Sequence, residues 1–344
     1  MAYKRRTIKD IAKMAGVSPT AVSFVIHGKN GVSEKTKEKI LAVIKETDYY
    51  PSAASQRMTL GKSFNIAFIY PTEVSPFSDL FYYEVANGIT EELTDNKYNV
   101  VFIPLKCDLN SYELPYIIKR QDTDGVILLH ETPVSLLDEL EQLNIPFILV
   151  DWQSADNGRI NISLDCEQSI YQAVEHLIKK GHTKIAFWGS DTMPHYYLRC
   201  LTGYQNALTS AGLPIYPGWI VNNVDSVNAA VNSLNNLSSL QVRPTAVCCM
   251  NDMCAINSIQ AAALTGVKVP DDLSFISIDD ILIGKHIHPQ LTTMSYRKSE
   301  IGKVAAQLLL QLIANEKVES TVIKSDKIIE RQSVLDLTKS NTLD

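Results

Sequence analysis

Apolar residues near the start of the chain recur at the three- and four-residue spacing of helices. The first stripe comprises Ile8, Ile11, Ala12 and Ala15, and the second comprises Val22, Val25 and Ile26. Gly16 separates the two stripes, and Ser18 followed by Pro19 predicts the start of the second helix. Two short helices joined by a tight glycine turn are typical of a helix-turn-helix, whose second helix lies in the DNA major groove.

A third helix is predicted after Ser33, which can cap it. Its apolar residues Ile40, Leu41 and Ile44 can close a three-helix core. The same pattern also fits a small helical bundle with no role in DNA binding. The net charge of this segment distinguishes a DNA-binding domain from a helical bundle without that role.

From Asn65 onward, short apolar runs alternate with amphipathic stretches. The runs predicted as buried strands are NIAFIYP, YNVVFIPL, DGVILLH and PFILVDW, followed by KIAFWGS, TAVCCMND and LSFISIDD. Helices are predicted between them, at about 79–97, 111–121, 134–143, 167–181, 195–212, 226–240 and 252–266. This alternation predicts doubly wound parallel sheets, and its restart predicts two α/β lobes with a cleft between them.

Polar residues collect where the predicted strands end. They are Asp151, Asp165, Asn251, Asp252, Asp279 and Asp280. Ligands of α/β proteins bind at the carboxyl ends of strands, so these residues are candidates for a ligand site. Asn251 and Asp279 suit a sugar or a nucleoside, because amides and carboxylates make paired hydrogen bonds to vicinal hydroxyls. An apolar face for a ring could come from Phe81, Tyr82, Trp152 or Trp188.

Charge is distributed unevenly along the chain. The whole chain carries a net charge of −6, which alone argues against a nucleic-acid partner. Residues 1–62, however, hold 12 Lys and Arg against 5 Asp and Glu, a net charge of +7, and the remainder carries −13. A basic segment that coincides with a helix-turn-helix favours the DNA-binding interpretation of these helices.

Motifs of the common enzyme classes are absent from the sequence. It contains no Gly-rich phosphate loop, no Gly-x-Ser-x-Gly and no His-Glu-x-x-His. Asp279 and Asp280 could form a metal or acid–base pair, but strand-end carboxylates more often cap helices or bind hydroxyls. We therefore expect a protein that is not an enzyme and that needs no cofactor or metal.

Length, apolar runs and cysteine usage indicate the class of protein and its compartment. A chain of 344 residues exceeds one compact core, so two or three domains are expected. No apolar run approaches the roughly 18 residues of a membrane span, and the start MAYKRRT lacks an export signal. None of the 6 cysteines forms a Cys-x-x-Cys pair, which favours buried reduced thiols. We expect a cytoplasmic protein.

These motifs resemble those of the lactose-repressor/galactose-repressor (LacI/GalR) family of bacterial transcription regulators. TIKDIAKMAGVSPTAVSFVIHG resembles the family's head and YYPSAASQRM its hinge helix. Landmarks of the family's effector-binding body are matched by GHTKIAFWG, TAVCCMNDMCA, VPDDLSFISIDD and HPQLTTM. The resemblance covers residues 5–335 in the same order. It implies a repressor that binds a pseudopalindromic DNA operator as a homodimer.

The resemblance also implies the architecture and the switch. An all-α helix-turn-helix head (1–49) is followed by a hinge helix and linker (50–62) and by an α/β body (63–344). The body resembles a periplasmic sugar-binding protein with two doubly wound lobes, lobe one at about 63–163 and 293–325 and lobe two at about 164–292 and 326–340. A small effector, with a carbohydrate favoured, switches operator affinity from the cleft. One alternative is a family member that responds to a nucleobase or a protein partner instead of a sugar. The other is a sugar-binding protein without a DNA role.

The family's DNA contacts map onto the head and hinge. The base-reading positions carry Pro19, Thr20 and Phe24, the phosphate-holding positions carry Thr7, Ser18 and Ser23, and the hinge positions carry Ser52, Ser55 and Met58. His27, a further DNA-binding position, stands where the family usually has Asn. Phe24 stands where the family has Arg or His, so it can meet a thymine methyl group or pack internally. Met58 replaces an intercalating leucine and can still wedge into a base step. On composition alone, residues 51–60 also fit a plain linker.

The family's effector contacts map onto both halves of the body. They fall on Phe81, Tyr82, Asp165, Asn251 and Asp279. The family places an arginine three residues before its Gly-Tyr pair, but here Cys200 stands three residues before Gly203, and Arg199 one residue earlier. Either the helix register is shifted and Arg199 binds the effector, or the cleft has lost this cation and prefers a neutral effector. Residues 333–344 lack a heptad repeat, which predicts a dimer rather than a tetramer.

Overall fold

The computed structural model describes residues 6–26, 28–50, 61–108, 111–152 and 158–339. Its internal contacts group into two compact units, Met1–Phe64 and Asn65–Asp344, which correspond to the head and the body. His27 and the hinge candidates Ser52, Ser55 and Met58 lie outside the described residues.

Three helices form the head, as the sequence predicted. They are α1 (Ile8–Ala15), α2 (Pro19–Ile26) and α3 (Glu34–Thr47). Thr7 caps α1 in a capping box with Asp10, and Ser33 caps α3 by accepting from the Thr36 amide. Gly16 ends α1 at φ 63°, a left-handed conformation that favours glycine, so the chain can turn at once into α2.

Apolar residues from all three helices meet in the head core. Its buried members are Ile11, Ala12, Ala15, Val22, Ile40 and Tyr49. Ile44 packs at the margin of this core. The prediction for Leu41 was wrong, because its side chain is 46% exposed. Leu41 follows Ile40 directly, and one residue rotates a helix by about 100°, which carries Leu41 away from the core.

The body begins with the larger part of lobe 1. Its elements are β1 (Asn65–Pro71), α4 (Leu80–Asp95), β2 (Asn99–Leu105), β3 (Cys107–Asp108), β4 (Ser111–Tyr112), α5 (Tyr116–Lys119), β5 (Gly125–Leu129), α6 (Val134–Gln142), β6 (Phe147–Val150) and β7 (Asn161–Leu164). β1, β2, β5 and β6 are the apolar runs that the sequence predicted as strands. They pair in parallel, in register from Ile66 opposite Val100 and Gly125.

Lobe 2 follows and repeats the same plan. Its elements are α7 (Cys166–Lys179), β8 (Ile185–Trp188), α8 (Pro194–Ser210), β9 (Ile220–Val221), α9 (Val227–Ser238), β10 (Ala246–Cys249), α10 (Asp252–Thr265), β11 (Ser274–Asp279) and β12 (Thr292–Ser295). The chain then returns to lobe 1 with α11 (Lys298–Ile313) and β13 (Thr321–Ile323), and it adds β14 (Lys327–Ile329) to lobe 2.

Each lobe is built on one six-stranded sheet. The strand orders are β13-β7-β6-β5-β1-β2 in lobe 1 and β14-β12-β11-β10-β8-β9 in lobe 2. In each sheet the second strand of the lobe lies on one side of the first strand, and the later strands lie on the other side. This is the doubly wound arrangement. A helix-turn-helix head, followed in the chain by two parallel-sheet lobes, confirms the predicted fold class.

The chain crosses between the lobes three times, at Asp165, at Tyr296 and Arg297, and at 324–326. These crossovers are hydrogen-bonded to one another and to α7. The Asp165 amide donates to the Ile323 carbonyl at 2.9 Å, and the Asp326 amide donates to the Ser295 carbonyl at 2.7 Å. The Tyr296 hydroxyl lies 2.6 Å from the Ser169 hydroxyl of α7. The three connections therefore form one bonded layer.

Two parts of the body differ from the sequence prediction. The prediction of a helix at 111–121 was wrong, because only Tyr116–Lys119 is helical in this range and Ser111–Tyr112 pairs with β3. Pro115 accounts for the difference, since the residue before a proline is disfavoured in a helix. The strands β3, β7, β9, β12, β13 and β14 and the helix α11 were not predicted individually. In the described ranges, no helix is long and apolar enough to cross a membrane.

Candidate functional site

The predicted DNA contacts of the head are divided between exposed and packed positions. Pro19 and Thr20, at the start of α2, are exposed. Thr7 and Ser18 are exposed as well, and both act as caps, since Ser18 accepts from the Ala21 amide at 3.1 Å. The start of α2 therefore presents polar side chains to solvent at a helix N-terminus, a place that favours phosphates.

Phe24 and Ser23 lie further along α2 and are half-buried. A side-chain carbon on Gly31 would lie 3.1 Å from the Phe24 ring, so the ring rests against the turn that precedes α3. The Lys29 amide also donates to the Phe24 carbonyl at 2.8 Å. This packing agrees with the second of the two roles considered for Phe24, and base contact by Phe24 stays a prediction.

A cavity lies between the two lobes of the body. Four of the predicted effector contacts line it, namely Phe81, Tyr82, Asn251 and Asp279. They come together because parallel strands end, and their following helices begin, along the same edge of each sheet. Asp151, one of the strand-end candidates for a ligand site, also lines it. The remaining lining residues were not predicted as contacts: Asp79, Leu80, His130, Leu164, Met193, Tyr196, Met253 and Ile281.

The lobe 1 wall is built on the start of α4 and the end of β6. Asp79 caps α4 and accepts from the amides of Phe81 and Tyr82 at 2.9 and 3.1 Å. The Tyr82 hydroxyl donates to the carboxylate of Asp151, which follows β6. Burial, reinforced by the charge of Asp151, raises the pKa of Tyr82 well above its ordinary value. Tyr82 therefore remains a protonated donor at every physiological pH.

Asn251 belongs to the lobe 2 wall and caps α10. Its Oδ1 accepts from the Cys254 amide at 2.9 Å. Its Nδ2 donates to no group in the described part of the body, although the residue lines the cavity. Because the cap fixes the amide orientation, Nδ2 is a donor directed by the fold and available to a ligand.

Asp279 ends β11 in the same wall, in an unfavourable backbone conformation. Asp279 has φ 125° and Asp280 has φ 52°, both in the region that side chains avoid. Lys298 Nζ donates to the carbonyls of both residues at 2.8 Å, and this side chain is only 4% exposed. The ammonium also lies 3.5 Å from Glu84 of lobe 1. The buried Lys298 ammonium thus stabilises the strained turn of lobe 2 and links it to lobe 1.

A second buried carboxylate supports the same turn. Asp252 accepts from the Ser277 and Thr293 hydroxyls, each at 2.6 Å. Its other oxygen accepts from the Ile281 amide at 2.8 Å. Burial raises the pKa of Asp252 to about 6, against the lowering effect of these three bonds. Burial also raises the pKa of Asp279 well above its ordinary value, and the Asp252 charge adds to the rise.

Asp165 and Arg199, the other two predicted effector contacts, are not among the residues that line the cavity. Asp165 lies at a crossover and caps α7, where it accepts from the Gln168 amide at 3.2 Å. Cys200 is fully buried. A side-chain carbon on Gly203 would lie 2.1 Å from the Glu167 carbonyl of α7, so the face of α8 that carries Cys200 and Gly203 is packed against α7. Arg199 points about 100° away from that face.

His182 and the cysteines of lobe 2 are held within the packed interior of the lobe. His182 bonds through Nδ1 to the Thr245 hydroxyl at 2.9 Å and through Nε2 to the Leu335 carbonyl at 3.0 Å. Cys166, Cys200, Cys248, Cys249 and Cys254 are free and buried. Within the described residues, no group of three or more His, Cys, Asp or Glu side chains is placed to hold a metal ion.

Comparison with protein families matches both parts of the chain. Residues 7–52 match the model of bacterial regulatory proteins of the lacI family, and residues 174–334 match the periplasmic binding protein-like domain. Among curated proteins, the transcriptional repressor PurR of Photobacterium profundum is 30% identical over 335 residues, covering 96% of this chain and 99% of that protein. The ribose operon repressor of Haemophilus influenzae is 29% identical, with 96% and 99% coverage.

Solved structures show the same fold. The lac repressor dimer bound to operator and an anti-inducer superposes with a TM-score of 0.81 at 22% identity, covering 96% of this chain and all of that chain. Catabolite control protein A of Priestia megaterium is a further relative, 30% identical over 333 residues, with 95% and 98% coverage. This chain therefore belongs to the lacI family of bacterial transcription regulators, in which a DNA-binding domain is joined to an effector-binding domain.

Proposed function

We propose that this chain represses transcription by binding a pseudopalindromic operator as a dimer, and that a neutral carbohydrate in the cavity between the lobes changes its affinity for DNA. The observation that carries the proposal is that both lobes contribute polar groups to one cavity. Tyr82 and Asp151 come from lobe 1, and Asn251 and Asp279 from lobe 2. A ligand that bonds to both walls stabilises one relation of the lobes over others.

The lining of the cavity favours a neutral ligand. Its side chains include the carboxylates of Asp79, Asp151 and Asp279, and none of its described residues is Lys or Arg. Proteins commonly hold phosphates and carboxylates with these cations, so a sugar phosphate or an organic acid is disfavoured. Carboxylates, an amide donor and aromatic rings suit the hydroxyls and the apolar face of a sugar. We infer that the buried Cys200 takes the place of the family's cation.

The division of labour follows the family's. We propose that residues 1–49 form the head, 50–62 the hinge and 63–344 the body, and that the dimer interface lies on the body. The lac repressor structure named above is a dimer bound to operator. Phosphate contacts are assigned to Thr7, Ser18 and Ser23, and base contacts to Pro19 and Thr20. Met58 is proposed as the hinge residue that wedges into the operator.

DNA binding is tested by selecting sites from a random duplex library with the full chain and measuring affinity against salt. A basic head on each subunit predicts a log–log slope of roughly −5 to −10. Met58→Gly should weaken binding to the selected site by about 1–3 kcal/mol without changing ligand binding by the body. Failure to enrich any site, or a slope near zero, would leave a sugar-binding protein without a DNA role.

Effector class is tested by thermal shift of the full chain against neutral sugars, sugar phosphates, nucleobases and nucleosides. We expect stabilisation by at least one neutral sugar and by no sugar phosphate. Asp279→Ala should abolish the shift, at a cost of at least about 1–3 kcal/mol in binding, because the ligand's hydroxyls lose a buried partner. Stabilisation by a nucleobase alone would contradict the carbohydrate assignment. A full shift in Asp279→Ala would place the site elsewhere.

A further inference from the structure

The loop between α2 and α3 contains an Asn-Gly pair, Asn30 followed by Gly31. Asparagine before glycine is prone to spontaneous deamidation, because glycine has no side chain to hinder attack of its backbone nitrogen on the asparagine side chain. The chain contains two more such pairs, which begin at Asn87 and Asn157. Asn157 lies outside the described residues, so the structure distinguishes between Asn30 and Asn87.

The pair at Asn30 stands in a bend between the two helices, and Asn30 is exposed. Within the described part of the chain, the Asn30 side chain makes no hydrogen bond and the Gly31 amide donates to no group. Gly31 has φ 123°, in the region that is open to glycine but avoided by other residues. The attacking nitrogen and the side-chain amide are thus both free of bonds that would hold them apart.

The pair at Asn87 provides the contrast, because it has the same sequence in a different backbone. Asn87 is exposed too, but the pair lies inside α4, where the Gly88 amide donates to the helical carbonyl four residues earlier. A side-chain carbon on Gly88 would lie 1.9 Å from the Ser299 carbonyl, so the helix is packed closely at this point. Ring closure at Asn87 therefore requires local opening of α4, whereas ring closure at Asn30 does not.

A new carboxylate at position 30 would change the charge of the head beside the DNA. Residues 1–62 carry a net charge of +7, and Lys29 directly precedes the pair. In a helix-turn-helix complex the second helix lies in the major groove. Because α2 has 8 residues, its ends are only about 12 Å apart, and the loop that follows it stays close to a duplex held at its start. A negative charge there opposes the phosphates.

The same reaction would disturb packing, because isoaspartate adds one carbon to the main chain. Gly31 rests against the Phe24 ring of α2, since a side-chain carbon on this glycine would lie only 3.1 Å from the ring. The next residue, Val32, packs against the head core, and Ser33 caps α3. A longer main chain at position 30 displaces these contacts, and with them the relation of α2 to α3.

We propose that Asn30 is a site of spontaneous deamidation that weakens DNA binding by the head. The Gly31 nitrogen attacks Cγ of Asn30 and forms a C–N bond, and the side-chain nitrogen leaves as ammonia with the proton from the Gly31 amide. Water then opens the five-membered ring at either carbonyl, which leaves isoaspartate or aspartate at position 30. Water is the only co-reactant. The modification is independent of the proposed effector, and only its effect rests on DNA binding.

The modification is tested by ageing the full chain in mildly alkaline buffer, which favours loss of the backbone amide proton. Peptide mapping by mass spectrometry detects a gain of about 1 Da, and chromatography separates isoaspartate from aspartate. We expect Asn30 to react at least about tenfold faster than Asn87, because the reaction at Asn87 waits for a rare opening of α4. Equal rates at the two pairs, or an unchanged Asn30 peptide, would overturn the site.

The effect is tested by measuring the affinity of the fresh and the aged full chain for the duplex selected from the random library. Affinity should fall by roughly fivefold for each modified head, the scale of one unfavourable charge near a phosphate in water. Asn30→Gln is the matched control, because its side chain is one carbon longer and closes the ring much more slowly, while Asn157 is retained. The aged Asn30→Gln chain should keep its full affinity. The same loss in this variant, or none in the deamidated wild type, would overturn the effect on DNA binding.

Discussion

Lobe 1 and lobe 2 share a sheet topology but support their carboxylates differently. In lobe 1, Asp79 is bonded by two amides of its own helix, and Asp151 by the Tyr82 hydroxyl, so both are held by groups of their own lobe. In lobe 2, Asp279 stands on a strained turn that Lys298 and Asp252 hold from behind. The carboxylates of the lobe 1 wall are thus supported within lobe 1, whereas those of the lobe 2 wall depend on a buried network and on a lysine from lobe 1.

Helix packing is the first way to test this comparison, because it should not distinguish the lobes. A side-chain carbon on Gly88 would lie 1.9 Å from the Ser299 carbonyl in lobe 1, and one on Gly203 would lie 2.1 Å from the Glu167 carbonyl in lobe 2. Gly88→Ala and Gly203→Ala should each destabilise the body by about 3 kcal/mol, since backbone cannot give way easily. Urea denaturation followed by circular dichroism measures the loss.

Gly218→Ala is the control for both substitutions, because a side-chain carbon there would contact nothing within 4 Å. Its denaturation midpoint should match that of the wild type. A midpoint lowered in only one of the two packed variants would mean that the lobes differ in helix packing and not only in their polar walls.

The pH dependence of stability should single out the lobe 2 network. Because the pKa of Asp252 is raised to about 6 from 3.8, the folded state keeps this proton between about pH 4 and 6 while the unfolded state has lost it. The contribution is therefore present at low pH and is lost as pH rises through 6. Relative to Asp252→Asn, wild-type stability should fall by on the order of 2–3 kcal/mol between pH 4 and 6.5.

Comparing the two proteins at each pH removes the contribution of the histidines, whose effect has the opposite sign. Burial lowers the pKa of His176 and His182, so their stabilisation is lost as pH falls below 6.5. Asp279 and Asp280 face the same turn and are present in both proteins. Because the Asp252 charge adds to the rise in the pKa of Asp279, the Asp279 contribution to the difference has the same sign as that of Asp252. A constant difference in stability between wild type and Asp252→Asn across this range would contradict the raised pKa of Asp252.

Removing the cation that joins the lobes is the next test. Lys298→Met leaves the carbonyls of Asp279 and Asp280 without their donor and Glu84 without its partner. We expect a loss of about 2 kcal/mol in the free energy of unfolding, and a further rise in the pKa of Asp279 because the Lys298 charge lowers it. Urea denaturation measures the first effect, and carbon NMR of labelled aspartate the second.

Lys303→Met is matched to this variant, since Lys303 lies on the same helix and pairs with Glu91 at the surface. It should leave both the denaturation midpoint and the Asp279 titration unchanged. If Lys298→Met behaves in the same way as Lys303→Met, the strained turn is stable by itself, and the contrast between the two walls disappears.

The smallest effect is expected at the lobe 1 wall. Asp79→Ala removes the cap of α4 and should cost about 1 kcal/mol, whereas Asp79→Asn keeps an acceptor oxygen and should cost less. Thermal denaturation of both variants measures the difference. A loss in Asp79→Ala as large as that in Lys298→Met would show that lobe 1 also depends on a wider network.

Sequence patterns predicted the fold where burial is simple. Runs such as GVILL of β5 are buried along their whole length, so apolar β-branched residues alone identify them. The strands β7, β12 and β13 escaped because polar and apolar residues mix in them, as in NISL and TTMS. The helix α11 carries Ile301, Ala305 and Leu309 at helical spacing, a signal that was present but was not used.

The candidate site was predicted where a residue follows directly from a strand end or a helix start. Asn251 and Asp279 meet this condition, and they line the cavity. Asp151 was a candidate on the same ground and also lines the cavity, and His130 follows a strand directly, so the rule would have found it too. Tyr196 and Met193 lie at the start of α8, so they meet the same condition, but they were not predicted as contacts.

The bonded layer of crossovers has a mechanical consequence for any movement of the lobes. Because the Asp165 amide is bonded to Ile323, the residue before the third crossover, and the Tyr296 hydroxyl to Ser169, no single connection can bend without straining its neighbours. Sliding one lobe along the other would break these bonds, whereas rotation about an axis through the layer preserves them. The three linked crossovers therefore act as a hinge between the lobes. Phe81 lies next to this hinge, because its ring stands against Tyr296 and also lines the cavity.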